Sequence, residues 1–362
     1  MKEIFNRFNQ YLFFIVLFIV VMYFGKAFLV PICFGALFAM LMAPVCRRLD
    51  GWGFNRAMSS LVCILILLAV FAGIALIVST QISTFAENMN QIQTKGKEFL
   101  GQAQAFIEEK IGMSPDEQKE MIKEQTQNSN KQGPGTGAKI LAGITSTLTG
   151  LVLSLVITFL MIYNKEQFET FFVKLYQEKD TDKVKTVVGQ ISQVSQKYLT
   201  GRAMSVLIIA AMYSVGLLIV GIKNAVLLAG IAAVLTVIPY LGTVLGGLFP
   251  VIMALLTEDA QTALWAAIVM VVIQTIDNYF IEPNVVGGEV NLNALWSILS
   301  IVAGGMIWGV AGMIVFLPLF GIIKIICDHV TPLKPLGYLL GEPEGKKPSK
   351  VKQWIKNKFS RN

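Results

Sequence analysis

The sequence predicts an all-α fold, a polytopic α-helical membrane protein with about eight membrane segments. Three observations carry this. The chain is 54% hydrophobic and 15% charged, where ordinary soluble domains carry about 25% charged residues. Several apolar runs approach the ~20 residues with which a helix crosses a bilayer. The polar residues are gathered into blocks between those runs, a pattern of one membrane domain with helical extensions and not of several soluble domains.

Residues 1–82 hold three apolar segments. Phe8–Phe24 reads as a retained first span, because no small-residue cleavage site follows it and a second run starts almost at once. Ala27–Val45 carries Pro31 and Pro44, and Ser59–Ile82 carries no charge. Between the second and third lie Arg47, Arg48 and Arg56 against Asp50. The positive-inside rule puts this basic loop in the cytoplasm and, two spans away, the N-terminus with it.

Residues 83–139 form a polar helical insertion. Ile82, Phe85, Met89, Ile92, Gly96, Phe99, Ala103 and Phe106 alternate by three and four, a heptad seam. The third segment is expected to continue out of the membrane along this seam for about 36 Å. Ser114, Pro115 and Glu117 form a helix-start pattern, and Asn128–Gly137 reads as a turn. The seam fits an intramolecular hairpin or a contact between subunits. Residues 140–163 return through the membrane. In residues 164–202, Phe168, Phe171, Leu175, Val184, Val188, Ile191 and Tyr198 keep helical spacing among lysines and Arg202. That pattern predicts an amphipathic linker on the cytoplasmic bilayer surface.

Residues 203–330 are expected to form the C-terminal membrane core, with runs Ala203–Ile222, Ala225–Leu256, Ala260–Ile281 and Ala294–Cys327. Two runs contain helix breakers, one at Pro239–Gly247 and one at Gly304–Gly312. A broken helix exposes backbone groups that hydrocarbon cannot satisfy. Breaks are tolerated where they line a cavity or pack against protein, and paired Gly/Pro breaks point to a transport site. The alternative is that the glycines merely let helices approach closely. Re-entrant half-helices and full crossings preserve the same topology, so both remain open. The candidate pathway residues are Pro239, Gly242, Gly246, Gly247 and Pro250 in the first break, and Gly304, Gly305, Gly309 and Gly312 in the second. Residues 331–362 hold eight basic against two acidic residues, nearly the whole net charge of +7. A basic tail after a last membrane helix marks the cytoplasmic side first. Attraction to anionic lipid comes second, and nucleic acid is not expected as a partner.

The chemistry-bearing residues are few. No Gly-Lys pair has the flanking residues of a phosphate loop, and neither HExxH nor GxSxG occurs, so neither an ATP motor nor an enzyme is expected. No cofactor or metal is expected either: Cys33, Cys46, Cys63 and Cys327 lack metal-site spacing. His329, beside Asp328, reads as an interfacial residue, and Lys324 as one reaching for the interface. The strongest polar cluster is Gln274–Pro283. Gln274, Asp277 and Asn278 fall at i, i+3 and i+4 and share a helix face. A carboxylate in a membrane helix is a functional candidate by default. Its alternative role is an interfacial carboxylate packed on a neighbouring helix. Glu282 is expected beyond the membrane surface.

Taken together, Pro239, Gly242, Gly246, Gly247 and Pro250, then Asp277 and Asn278 with Pro283, then Gly304, Gly305, Gly309, Gly312, Met313 and Pro318 resemble the autoinducer-2 exporter family. These are polytopic bacterial inner-membrane transporters. Where family members often carry a Leu-His-Pro turn, this chain reads Leu292-Asn293-Ala294, so no proton role can be carried over to a histidine there. The resemblance implies export of a small polar signal molecule or, alternatively, exchange of sodium or lithium for protons. It also implies a homo-oligomer in the lipid bilayer, with a pentamer as one candidate. A membrane scaffold without transport is the remaining alternative.

Overall fold

The structure, a computed structural model, describes residues 2–87, Thr94, Gly101, 136–175, 181–286 and 292–342. The heptad seam from Met89 onward, the helix start at Ser114, most of the Asn128–Gly137 turn and the basic tail past Glu342 lie outside the described residues. Among the described residues the structure is mostly helical, and six helices are long and apolar enough to cross a membrane, with shorter apolar helices in addition. Their outer faces carry exposed leucine, isoleucine and phenylalanine in continuous stripes, such as Leu61, Leu65 and Leu68. Soluble monomers rarely expose apolar patches on this scale. The chain is a polytopic all-α membrane protein.

Two compact units can be distinguished. The larger comprises residues 27–163 and 201–285. It opens with α2 (Lys26–Gly51), which follows α1 (Lys2–Phe24). Pro31 and Pro44 sit inside α2 without ending it. The helix ends instead at Gly53, whose φ of 90° suits a residue without Cβ. There the Gly53 N–H donates to Asp50 O and the Phe54 N–H to Leu49 O, the paired bonds of a Schellman stop. Asn55 then caps α3 (Arg56–Glu87), accepting from the Met58 N–H at 2.8 Å. With α4 (Thr136–Tyr163), these helices enclose a small core of Met42, Cys46, Leu49, Cys63, Leu67, Leu155 and Ile162. Thr158 on α4 donates to its own helix at Ser154 O (2.7 Å) and lies 3.3 Å from Gly35 O on α2.

After α5 (Lys165–Leu175), α6 runs unbroken from Thr181 to Val220, 40 residues. At 1.5 Å per residue it is about 60 Å long, twice a hydrocarbon core. It passes through residue 202 without a break. A second Schellman stop ends it, with Gly221 at φ 87° and the Ile222 N–H on Leu217 O. α7 (Ala225–Leu235), α8 (Leu241–Thr257) and α9 (Ala260–Ile276) follow, with α8 packed on both neighbours. Ala229, Ala232, Ala233, Ala254 and Ala266 are fully buried at these crossings, around Ile209, Tyr213 and Leu217 of α6. Without a hydrophobic driving force between helices in lipid, such small side chains let backbones approach and gain dispersion contact. α9 leads into a ten-residue π-helical run, Asp277–Val286.

The smaller unit contains α1, α5, the start of α6 and residues 286–342. Its centre is a hairpin of α10 (Ala294–Trp308) and α11 (Val310–His329), followed by a 3₁₀ turn and the short α12 (Lys334–Leu340). Asn293 fixes both ends of this stretch. Its Oδ1 accepts from the Trp296 N–H to cap α10, while its Nδ2 donates to Leu339 O and Gly341 O after α12.

Candidate functional site

Both expected interruptions are present, but narrower than the glycine pattern suggests. The first is Thr236–Tyr240, and Gly242, Gly246, Gly247 and Pro250 lie inside α8. The second is the single residue Gly309 (φ 63°, ψ −141°), with Gly304 and Gly305 inside α10 and Gly312 inside α11. The reason is steric. A Cβ on Gly242 would run into the Leu235 carbonyl, and one on Gly246 into the Ala232 carbonyl. These residues face one another with opposite chain direction, so α7 and α8 form a tight antiparallel hairpin. Gly304 and Gly312 meet in the same way, backbone to backbone, while Gly305 lies against the Met313 side chain. Five of these glycines therefore sit at close contacts between helices. Pro250 is fully buried, and Gly247 has open space where its Cβ would be.

At 11 residues α7 is about 17 Å long, well short of a hydrocarbon core. Its last turn tightens, the Val237 N–H donating to Val234 O and the Ile238 N–H to Leu235 O. Tyr240 then adopts φ 60°, ψ −57°, and the Leu241 N–H closes back onto Pro239 O at 2.7 Å. That is a three-residue γ-turn of the rare, strained hand. Strain of this kind persists only where the surroundings over-determine it.

Beside this tip lies a polar cluster. Asp277 is 2% exposed. Its carboxylate has the Ser205 hydroxyl at 3.5 Å and Gln274 Nε2 at 3.4 Å. Gln274 also donates to Asn278 Oδ1 (3.0 Å) and accepts from the Tyr213 hydroxyl (3.0 Å). Gln274, Asp277 and Asn278 are thus brought together as their spacing predicts. Both polar bonds of Asp277 are long, so the carboxylate is held loosely for a buried group. Pro283 sits in the π-helical run, where it removes a main-chain donor, and Asn284 Nδ2 donates to Phe280 O. π-helical turns recur at functional sites.

Four members of the cluster escaped the sequence reading. Ser205 and Tyr213 are fully buried on α6, and Thr236 is fully buried at the hairpin tip. Arg202, read as a linker charge, donates through its guanidinium to the Thr236 carbonyl. It also lies 4.0 Å from Glu282, which faces this arginine from the π-helical run. A signal was present. Arg202, Ser205, Ile209 and Tyr213 recur at three- and four-residue steps, one stripe carrying polar groups into an apolar run.

The second hairpin has different neighbours. Trp308 stands edge-on to Phe316, Phe316 stacks on Phe320, and Phe320 on Trp296. The Trp308 indole N–H donates to Met22 O of α1. Lys324 pairs with Asp328, one turn further on, at 2.5 Å. The His329 ring contacts Ile325 O, one turn back. Among the described residues, no group of histidine, cysteine and carboxylate side chains could hold a metal.

A helical membrane protein with one helix of little more than half the hydrocarbon thickness, near a buried carboxylate on an apolar helix, has the build of a membrane transporter. The chain belongs to the AI-2E family of transporters, whose family profile, AI-2E family transporter, matches residues 12–331. Relatives of the chain carry transport names. "Putative transport protein YrrI" of Bacillus subtilis is 21% identical over 84% of this chain and 87% of its own length. "Putative transport protein MT0215" of Mycobacterium tuberculosis is 24% identical over 81% of this chain and 80% of its own. With "Putative transport protein YueF" of Bacillus subtilis the identity is 26%, over 57% of this chain and 56% of that protein.

Proposed function

We propose that this chain is a secondary transporter that exports a small polar solute of the autoinducer-2 type. The observation that carries the reading is Asp277, a buried carboxylate in a membrane helix, set with Gln274 and Ser205 beside a strained hairpin tip. Intramembrane carboxylates are costly and mark solute or ion pathways. Gln274, Asp277 and Asn278 are assigned solute contact. Gly242, Gly246, Gly247 and Pro250 shape the first hairpin, Pro239 and Pro283 break the regular helix on either side of the cluster, and Gly304, Gly305, Gly309 and Gly312 shape the second hairpin. In this reading the first hairpin, with its 11-residue α7, is re-entrant. The chain is a homo-oligomer of the bacterial inner membrane with both termini in the cytoplasm, and it performs no enzymatic reaction.

A second reading, sodium or lithium exchange for protons with Asp277 as the titrating group, is favoured by one feature. Asn278 Oδ1 and the Ser205 hydroxyl supply neutral oxygens close to the carboxylate system. Proteoliposomes separate the two. Efflux of labelled autoinducer-2 that is lost in Asp277→Leu and partly kept in Asp277→Asn supports solute export. Sodium uptake driven by a pH gradient and lost in Asp277→Asn supports antiport. Neither flux from folded wild-type protein would defeat both readings.

A further inference from the structure

The turn at the first hairpin leaves the buried Thr236 carbonyl without its local donor. In the tightening end of α7, residue 237 donates to 234 and residue 238 to 235. The next step of this ladder would run from residue 239 to the Thr236 carbonyl. Residue 239 is proline and has no N–H. Tyr240, which an α-helical step would use, has left the helical conformation at φ 60°. Thr236 is fully buried, so water cannot stand in, and a buried carbonyl left unpaired is destabilising. The Arg202 guanidinium takes the vacant position and donates to Thr236 O. A cation at this end of α7 also complements the helix dipole. The forked shape of the group matters, because a second arm, Nη1, faces Glu282 at 4.0 Å.

We propose that Arg202 is a positioning residue, the latch of the first hairpin. It supplies the donor that Pro239 lacks and ties the tip to the π-helical run through Glu282. The tip opens only when the guanidinium releases the Thr236 carbonyl. The inference rests on the transporter reading for its purpose and names the regulation of that same site, but its geometry belongs to the hairpin alone.

The test is hydrogen exchange by mass spectrometry on the full chain in nanodiscs, reading the peptide over residues 236–244, with liposome flux measured in parallel. Arg202→Gln should raise exchange there by roughly tenfold or more, the loss of a charge-assisted bond, while peptides from α2 and α3 stay unchanged. Arg202→Lys, a point charge without the fork, should fall between. Pro239→Ala restores a main-chain donor, so the double variant Arg202→Gln/Pro239→Ala should exchange close to the wild type. Unchanged exchange in Arg202→Gln overturns the latch. So does a rise that Pro239→Ala does not reduce. Should Arg202→Gln fail to fold, Glu282→Gln removes only the half-exposed arm and should raise exchange by about twofold, and no rise overturns the tie. Exchange needs no solute, so a chain that moves nothing yet shows this pattern loses the transporter reading and keeps the latch.

Discussion

The two hairpins share one device and differ in what surrounds it. In each, glycines one or two turns from the bend bring backbone against backbone, Gly242 and Gly246 on α7 in one, Gly304 and Gly312 on each other in the other. The first bends through five residues, a buried threonine, a proline and a strained tyrosine, with Arg202, Ser205 and Asp277 nearby. The second bends at one glycine, in a φ region open to that residue, and is flanked by Trp308, Phe316 and Phe320. Glycine spacing builds the hairpin, and the neighbours of the bend decide its chemistry. One bend is a polar joint with a replaceable bond. The other is packed like a core.

The largest effect expected from this contrast is at Trp308. Trp308→Ala removes a buried ring, its edge contact to Phe316 and the bond to Met22 O. Unfolding in mixed micelles should show a loss of about 3–5 kcal/mol, the range for large aromatic truncations. Flux per folded molecule should stay near the wild type. Loss of flux at unchanged stability would break the comparison, because the second hairpin would then take part in the transport step.

Next in size are Gly242→Ala and Gly312→Ala. Each drives a methyl group into opposing backbone that cannot rotate away. The overpacking cost is about 1–3 kcal/mol, against a gain of roughly 1 kcal/mol in helix propensity. Both variants should be less stable on the same measurement. They should differ in flux. Gly242 lies on Leu235, next to the latched Thr236 carbonyl, so its variant should also lose transport. Equal flux in the two variants would remove the distinction between a joint and a core.

Legibility in the sequence followed the same divide. Long apolar runs and charge-free stretches gave the spans, because the bilayer leaves few other solutions for a backbone. The shared face of Gln274, Asp277 and Asn278 was legible because one helical period places it. The extent of the bends was not. Glycine within a helix and glycine at a turn look alike in one dimension, and only the facing carbonyls of Leu235 and Ala232 tell them apart. Arg202 was missed for a related reason. Its function depends on an N–H that Pro239 lacks, 37 residues further along the chain. Composition assigns such an arginine to the polar block that it borders. Asn293 is the converse case. It was noted only as a departure from a histidine, and the structure gives it a helix cap and two clasping bonds.

The last comparison sets one helix cap from each region against the other. Asp259 caps α9 by accepting from the Thr262 N–H at 2.8 Å, and Asn293 caps α10 by accepting from the Trp296 N–H at 3.0 Å. Asp259→Ala should cost about 1 kcal/mol, the usual worth of a cap. Asn293→Ala should cost about 2 kcal/mol, since it also frees the carbonyls of Leu339 and Gly341. Asn293→Asp separates the two contributions. It keeps the cap acceptor and loses the amide donor, so the cap bond remains while a carboxylate is turned toward two carbonyl oxygens. If Asn293→Asp is at least as destabilising as Asn293→Ala, the clasp to the end of α12 outweighs the cap. If it is as stable as the wild type, the end of α12 is held by the Leu292–Gly341 main-chain pairing and its packing on α11 without the amide clasp, and the second region is simpler than its side chains suggest.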